Sequence, residues 1–318
     1  MRIALDEVLA PQKILLLDGS MSTPLEAMGC DLNDPLWTAR ALAERPELVR
    51  KVHLDYFRAG ADAGITDSYQ ATIPGLTERG YSLREAEDLI ARSVELFLEA
   101  RRTWWEEEGR GSGRPMPLCL GSVGPYGAYL ADGSEYRGNY GVSDQVLRDF
   151  HRRRMEILWE AGADLLALET MPSLHEARIA ADLAEELGAD YYVSFSCRDG
   201  SHICEGDSVE ACARTLAEGH PHLRMIGVNC TPPQFAESLV THLRGCCGLP
   251  VVVYPNSGET YDPATKTWYG VPGGPDFGDY ARRWMRAGAA AVGGCCRTVD
   301  SHIRQAARSR EVYLKLGR

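Results

Sequence analysis

The sequence has no apolar run of 18 residues, no C-x-x-C pair, no G-x-x-x-x-G-K-[ST] and no G-x-G-x-x-G opening a helix. The first absence argues against a membrane-spanning helix. The others remove the closest-spaced cysteine metal signature and the two commonest phosphate cradles. No Lys/Arg-rich stripe is interleaved with aromatics, and 34 basic against 45 acidic residues leave a net charge of −11. Such a surface repels a phosphate backbone, so no nucleic acid is expected as a partner. Asp6 and Glu7 fall where a secretory leader needs its apolar stretch, so the chain is expected to be cytoplasmic, with no membrane partner.

What is present suits a large packed core. The chain has 318 residues, 44% hydrophobic and 25% charged, with 6 Trp, 14 Tyr and 6 Phe. Ten cysteines in a reducing compartment are core filler or chemistry, not a disulfide framework. Short apolar runs alternate with amphipathic stretches, and the strand candidates are Ile14–Asp18, Ala63–Ser68, Leu118–Val123, Asp164–Glu169, Tyr191–Cys197, Met225–Cys230, Pro250–Asn256 and Ala290–Cys295. The joints Ala59-Gly60-Ala61-Asp62, Ala161-Gly162-Ala163-Asp164, Leu187-Gly188-Ala189-Asp190 and Ala287-Gly288-Ala289 repeat one helix-to-strand turn, with Gly as the left-handed cap. The pattern predicts an α/β fold, a single (β/α)8 TIM-type barrel over residues 1–318, with a doubly wound sheet as the alternative. Long loops follow several strands, notably Gly124–Tyr140 and Ser257–Gly278. Barrel enzymes build their sites from such loops, at the C-terminal ends of the strands.

Position along each unit therefore sorts the reactive residues. Cys230 ends the sixth strand candidate and Cys295-Cys296 the eighth, so three thiols converge on one mouth. Three thiolates with an open fourth position describe a substrate-accepting zinc site. Any one of them alone is more commonly a small buried hydrophobe, and Cys197, at the end of the fifth strand, competes as a ligand. Cys246-Cys247 and His220-Pro221-His222 precede strands and belong to the opposite face, which disfavours a histidine-ligated hydrolase. No strand ends in lysine, which argues against Schiff-base chemistry. Asp18 and Glu169 also end strands; each pairs with an arginine, caps a helix, or clamps a substrate ammonium. Tyr69, Tyr126, Tyr129, Phe195, Tyr254 and Trp268 lie toward the same face, where rings and carboxylates suit a cationic ligand such as a sulfonium. Gly19 and Gly124 follow strands and either present N–H groups to a carboxylate or simply make tight turns.

Taken together, these segments resemble the zinc-dependent homocysteine S-methyltransferases along essentially the whole chain. Leu15-Leu16-Leu17-Asp18-Gly19, Ser68-Tyr69-Gln70-Ala71, Gly121-Ser122-Val123-Gly124-Pro125-Tyr126-Gly127 and Ala131-Asp132-Gly133-Ser134-Glu135-Tyr136 are similar to that family's first, second and third strand regions. Val228-Asn229-Cys230 and Gly293-Gly294-Cys295-Cys296-Arg297 resemble its zinc-ligand segments. Tyr254-Pro255-Asn256-Ser257-Gly258-Glu259 looks like the branch that uses S-methylmethionine or S-adenosylmethionine rather than betaine or cobalamin.

The resemblance implies that Cys230, Cys295 and Cys296 hold Zn2+ with homocysteine sulfur in the fourth position. It further implies that Asp18 and Glu169 bind the homocysteine ammonium, that Gly19 and Ser20 help receive its carboxylate, and that Tyr69 and Asn256 complete the substrate contacts. Zinc would deprotonate the thiol, and the donor would leave as a neutral thioether, so no catalytic acid or base is expected beyond the zinc centre. Ser20, Asp67 and Ile203-Cys204-Glu205-Gly206-Asp207 depart from the family pattern. Asp67 either attracts a cationic donor, faces the surface or caps a helix. Two other readings stay open: a selenocysteine methyltransferase of the same family, and a non-catalytic zinc-binding or redox-sensing barrel using Cys295-Cys296.

Overall fold

The computed structural model describes residues 2–262, 267–269 and 276–316, the side chains of 260–262 and 267–269 excepted. Eight parallel strands form one sheet, in the order β1-β10-β7-β6-β5-β4-β3-β2. They are β1 (Leu15–Leu16), β2 (Ala63–Ile65), β3 (Leu118–Val123), β4 (Leu165–Met171), β5 (Tyr191–Phe195), β6 (Leu223–Asn229), β7 (Val251–Tyr254) and β10 (Ala291–Val292). A helix separates each from the next, so the architecture is a (β/α)8 barrel. Alternation divides each strand between two cores. Leu15, Leu17, Leu118, Leu120, Leu165 and Met225 fill the interior, whereas Leu16, Val123, Leu166, Leu168, Ile226 and Val253 pack against the helical ring.

The helix-to-strand joints behave as their glycines dictate. Gly60, Gly162, Gly188 and Gly288 all have positive φ, from 64° to 117°, a conformation that glycine reaches without a Cβ penalty. The strands are shorter at several ends than the apolar runs suggest. Their last residues turn outward into the loops that build the mouth. Two features lie outside the repeat pattern. The helix Leu5–Gln12 inserts Leu5 and Val8 into the interior core and plugs the bottom. A small antiparallel hairpin, β8 (Thr260–Asp262) with β9 (Thr267–Tyr269), arises within the long loop after β7.

The first and last members of the sheet order, β1 and β2, share no strand ladder. Backbone and carboxylates bridge them instead. Asp62 N–H donates to Leu16 O (2.7 Å), Leu16 N–H donates to Asp62 Oδ2 (3.1 Å), and Ile65 N–H donates to Asp18 Oδ2 (2.9 Å). Arg310, from the C-terminal helix Asp300–Lys315, and Arg114 neutralise Asp62. A buried carboxylate held this way is compensated.

Candidate active site

Cys230 follows β6 directly, and Cys295-Cys296 lie just beyond β10. The three Sγ atoms lie within 4.8 Å of one another, and those of Cys230 and Cys296 are 3.6 Å apart. Tetrahedral Zn–S bonds of about 2.3 Å place sulfurs about 3.8 Å apart, so the donor set fits a zinc ion with one position left for a ligand. Cys197 does not join them: its sulfur is buried within 3.9 Å of Phe195 O. Cys246 donates to His242 O (2.8 Å) at the far end of the barrel. His220 and His222 pair with Asp182 and Asp190, also away from the mouth.

The neighbours hold the thiols in place. Cys295 N–H donates to Pro255 O (2.8 Å) and Thr298 Oγ1 donates to Cys295 O (2.6 Å). Thr298 approaches this closely because residue 294 is glycine, where a Cβ would lie 2.3 Å from that hydroxyl. Tyr136 OH lies 3.0 Å from Cys230 Sγ, placed to donate to a thiolate. Backbone strain gathers here too. Trp37, Ala131, Thr170, Cys230 and Arg297 all have positive φ between 46° and 65°, and all line one cavity. Such strain persists only where the surroundings over-determine it.

Asn229 supplies much of that determination, and sequence reasoning had no role for it beyond its place in a motif. Its Oδ1 accepts from Thr170 N–H (2.8 Å) and Ser194 Oγ (2.6 Å), while Nδ2 donates to Thr170 Oγ1 (2.8 Å). Three strand ends are thereby tied behind Cys230. Replacing Asn229 by Ala leaves the Thr170 N–H buried without its acceptor and cuts the tie between the strand ends, so unfolding free energy should drop by about 2 kcal/mol. Denaturant titration of Asn229→Ala beside the parent protein checks this.

The cavity over the cysteines has a volume of about 470 Å3, and Glu169, Tyr69, Asp67, Glu135 and Tyr254 are on its wall. Ser122 Oγ and Tyr254 OH (3.0 Å) donate to Glu169. Burial nevertheless pushes the Glu169 carboxyl up to about 7. Asp18 lies beneath the wall, not on it. Its Oδ1 is buried without a partner, and burial, aided by the charge of Glu169, holds its carboxyl well above the ordinary range. Among the described residues neither acid meets an arginine, unlike Asp62. Burial also pushes Glu135 up to about 7. Arg297 is the one basic residue on the described wall, and Glu259 (3.2 Å) and Glu26 (3.6 Å) already pair with it.

The remaining expected contacts separate. Tyr69 forms wall, edge-on to Trp37 at 6.3 Å between ring centres, and Gly124 admits it, since a Cβ there would lie 2.8 Å from the ring. Gly19 and Ser20 also line the cavity, although Ser20 N–H is taken by Thr298 O (3.2 Å). Asn256 is buried off the wall, its N–H donating to Thr231 O (3.1 Å) and its Oδ1 unpartnered. Tyr126 and Tyr129 pack on Phe150 instead of facing the cavity, and Phe195 is core. The Trp268 side chain lies outside the described residues.

A (β/α)8 barrel with three cysteines grouped as a candidate metal site at its C-terminal mouth, beside an acid-lined cavity, has the layout of an enzyme of thiol chemistry. The comparisons give the family. The sequence model of the homocysteine S-methyltransferase family matches residues 15–309, and the chain belongs to that family of methyltransferases. It is 49% identical over 304 residues to the homocysteine S-methyltransferase YbgG of Bacillus subtilis, covering 95% of this chain and 96% of the relative. It is 45% identical to a selenocysteine Se-methyltransferase of Brassica oleracea, covering 91% of this chain and 86% of the relative. Among solved structures, the metallated form of the homocysteine methyltransferase MmuM from Escherichia coli matches with a TM-score of 0.85 at 45% identity, covering 94% of this chain and 98% of that one.

Proposed function

We propose that the protein methylates the sulfur of homocysteine with S-methylmethionine as donor, S-adenosylmethionine being a second donor, on a zinc ion held by Cys230, Cys295 and Cys296. The observation that carries the reading is the triangle of cysteine sulfurs in a cavity where, among the described residues, Glu169 and Asp67 have no cationic partner. A zinc ion bound there would ionise the acceptor thiol, whose free pKa is about 8.5. Asp18 and Glu169 would clamp the acceptor ammonium, and the Gly19 backbone would receive its carboxylate. Ser122 and Tyr254 fix the Glu169 carboxylate, so its orientation is set before substrate arrives. The S–CH3 bond of the sulfonium breaks as the new S–CH3 bond forms. The bonding pair stays on the departing sulfur, so no proton moves in the transfer itself, the thiol proton having been released to solvent when the acceptor ionises. The residues' work is to hold two sulfurs and a methyl in line and to exclude water.

The test is methionine formation from homocysteine by zinc-loaded protein, with a chelated sample beside it and S-adenosylmethionine and betaine as rival donors. Turnover with S-methylmethionine that chelation lowers at least about a hundredfold, and zinc restores, is the expected result. A selenocysteine Se-methyltransferase among the relatives makes selenocysteine the rival acceptor, and faster methylation of it would reassign the substrate. No turnover with either acceptor, together with reversible loss of two thiols on mild oxidation, would favour a sensing role instead.

A further inference from the structure

We propose that Asp67 is the anion that selects a methyl donor of net positive charge, acting on donor binding and not on the rate of transfer. This deepens the methyl-transfer reading and rests on it. Asp67 follows β2, is 2% exposed and lines the same cavity as the cysteines. It neither faces the surface nor caps a helix. One oxygen interacts with the Thr38 hydroxyl, and Oδ2 is buried with no hydrogen-bond partner. Among the described residues no arginine, lysine or histidine pairs with it: Arg79 goes to Asp34 and Arg297 to Glu259. Burial pushes the carboxyl up to about 7 despite Thr38, as for an anion missing its counter-charge.

Charge bookkeeping says what that partner is. Bound homocysteine, with its thiol ionised, brings one ammonium, and on the proposed reading Glu169 and Asp18, whose charges act on each other, take it. Asp67 is left over. S-methylmethionine and S-adenosylmethionine each carry a sulfonium and an ammonium against one carboxylate, a net charge of +1. Betaine is net neutral, and so are both thioether products. An anion on the wall of the cavity that holds the cysteines therefore favours the donor over what it becomes. Sulfonium charge disperses as the methyl departs, so the anion stabilises the bound donor at least as well as the transition state. Such an interaction appears in KM and not in kcat.

The experiment compares wild-type protein with Asp67→Asn, which keeps the volume and an acceptor for Thr38. Asp67→Ser serves should the first variant fail to fold, and bound zinc per chain is measured in each. The expected result is a roughly ten- to hundredfold higher KM for S-methylmethionine, with kcat within about twofold. The homocysteine KM, inhibition by methionine and zinc content should stay unchanged. An unaltered donor KM overturns the proposal, as does an equal fall of kcat with both KM values. Calorimetric titration of S-methylmethionine into each zinc-loaded protein separates this from failure of the reaction. Binding weakened in Asp67→Asn upholds the charge role even without turnover, whereas equal or absent binding in both proteins ends it.

Discussion

Cys230→Ser should fold, retain less than stoichiometric zinc and methylate homocysteine at least about a thousandfold more slowly. The sulfur triangle explains the size of the effect. Serine at residue 230 offers a neutral hydroxyl at the end of β6 in place of a thiolate 3.6 Å from Cys296. Two thiolates do not make a tight tetrahedral site. Without the metal, only about 3% of an alkyl thiol is ionised at pH 7, and the thiolate that remains is no longer held opposite the donor. The two factors multiply. Cys246→Ser and Cys247→Ser serve as controls, because Cys246 donates to His242 O far from the mouth and zinc should stay at one per chain. Metal analysis and steady-state rates on the same preparations decide the matter. A Cys230→Ser protein with full zinc and full turnover would remove that residue from the site.

Glu169→Gln should raise the homocysteine KM about a hundredfold and leave zinc binding alone. Its pH behaviour gives a second signature. The carboxyl ionises near 7 in the empty cavity, and only the ionised form attracts an ammonium. Affinity for methionine, which has no thiol to titrate, should therefore fall as pH drops below about 7. Glu169→Gln should remove about one proton from that dependence. Stability should move the opposite way. Raised from 4.5 to about 7 by burial, the group destabilises the ligand-free fold as pH rises through that window. At pH 8 the Gln variant should be more stable than the parent by up to about 3 kcal/mol. Loss of zinc with an unchanged homocysteine KM would give Glu169 a different job.

The strand ends were legible because chemistry and position coincide in one dimension. Cys230, Cys295 and Glu169 each terminate an apolar run, and the barrel brings such termini to one mouth whatever the detailed register. The exclusion of Cys197 was not legible, since the turn after β5 sends its thiol into the core. Asn229 escaped for a related reason. Its partners Thr170 and Ser194 come from β4 and β5, and only the register of three strands puts them together. A signal was there, in single polar residues near the ends of adjacent apolar strands. The plug helix lies outside the repeat and is amphipathic like the others, so periodicity alone does not say which surface it covers. Asp67 was visible as a departure from a motif, but burial decides its meaning, and burial depends on Thr38 and the loop after β1.

The join between β1 and β2 gives Asp18 two employments at once. Oδ2 stands in for a missing ladder bond by accepting from Ile65 N–H, while Oδ1 remains without a partner beside the cavity. A side chain used this way has little freedom to drift during evolution. Moving it to suit a new ligand would reopen the ring, and repairing the ring by other means would discard the acid. On the proposed role of Asp18, acceptor recognition and closure of the barrel therefore rest on one side chain. The donor role proposed for Asp67 carries no such tie, because its oxygens close no seam, and a change there alters charge in the cavity while the ring stays whole.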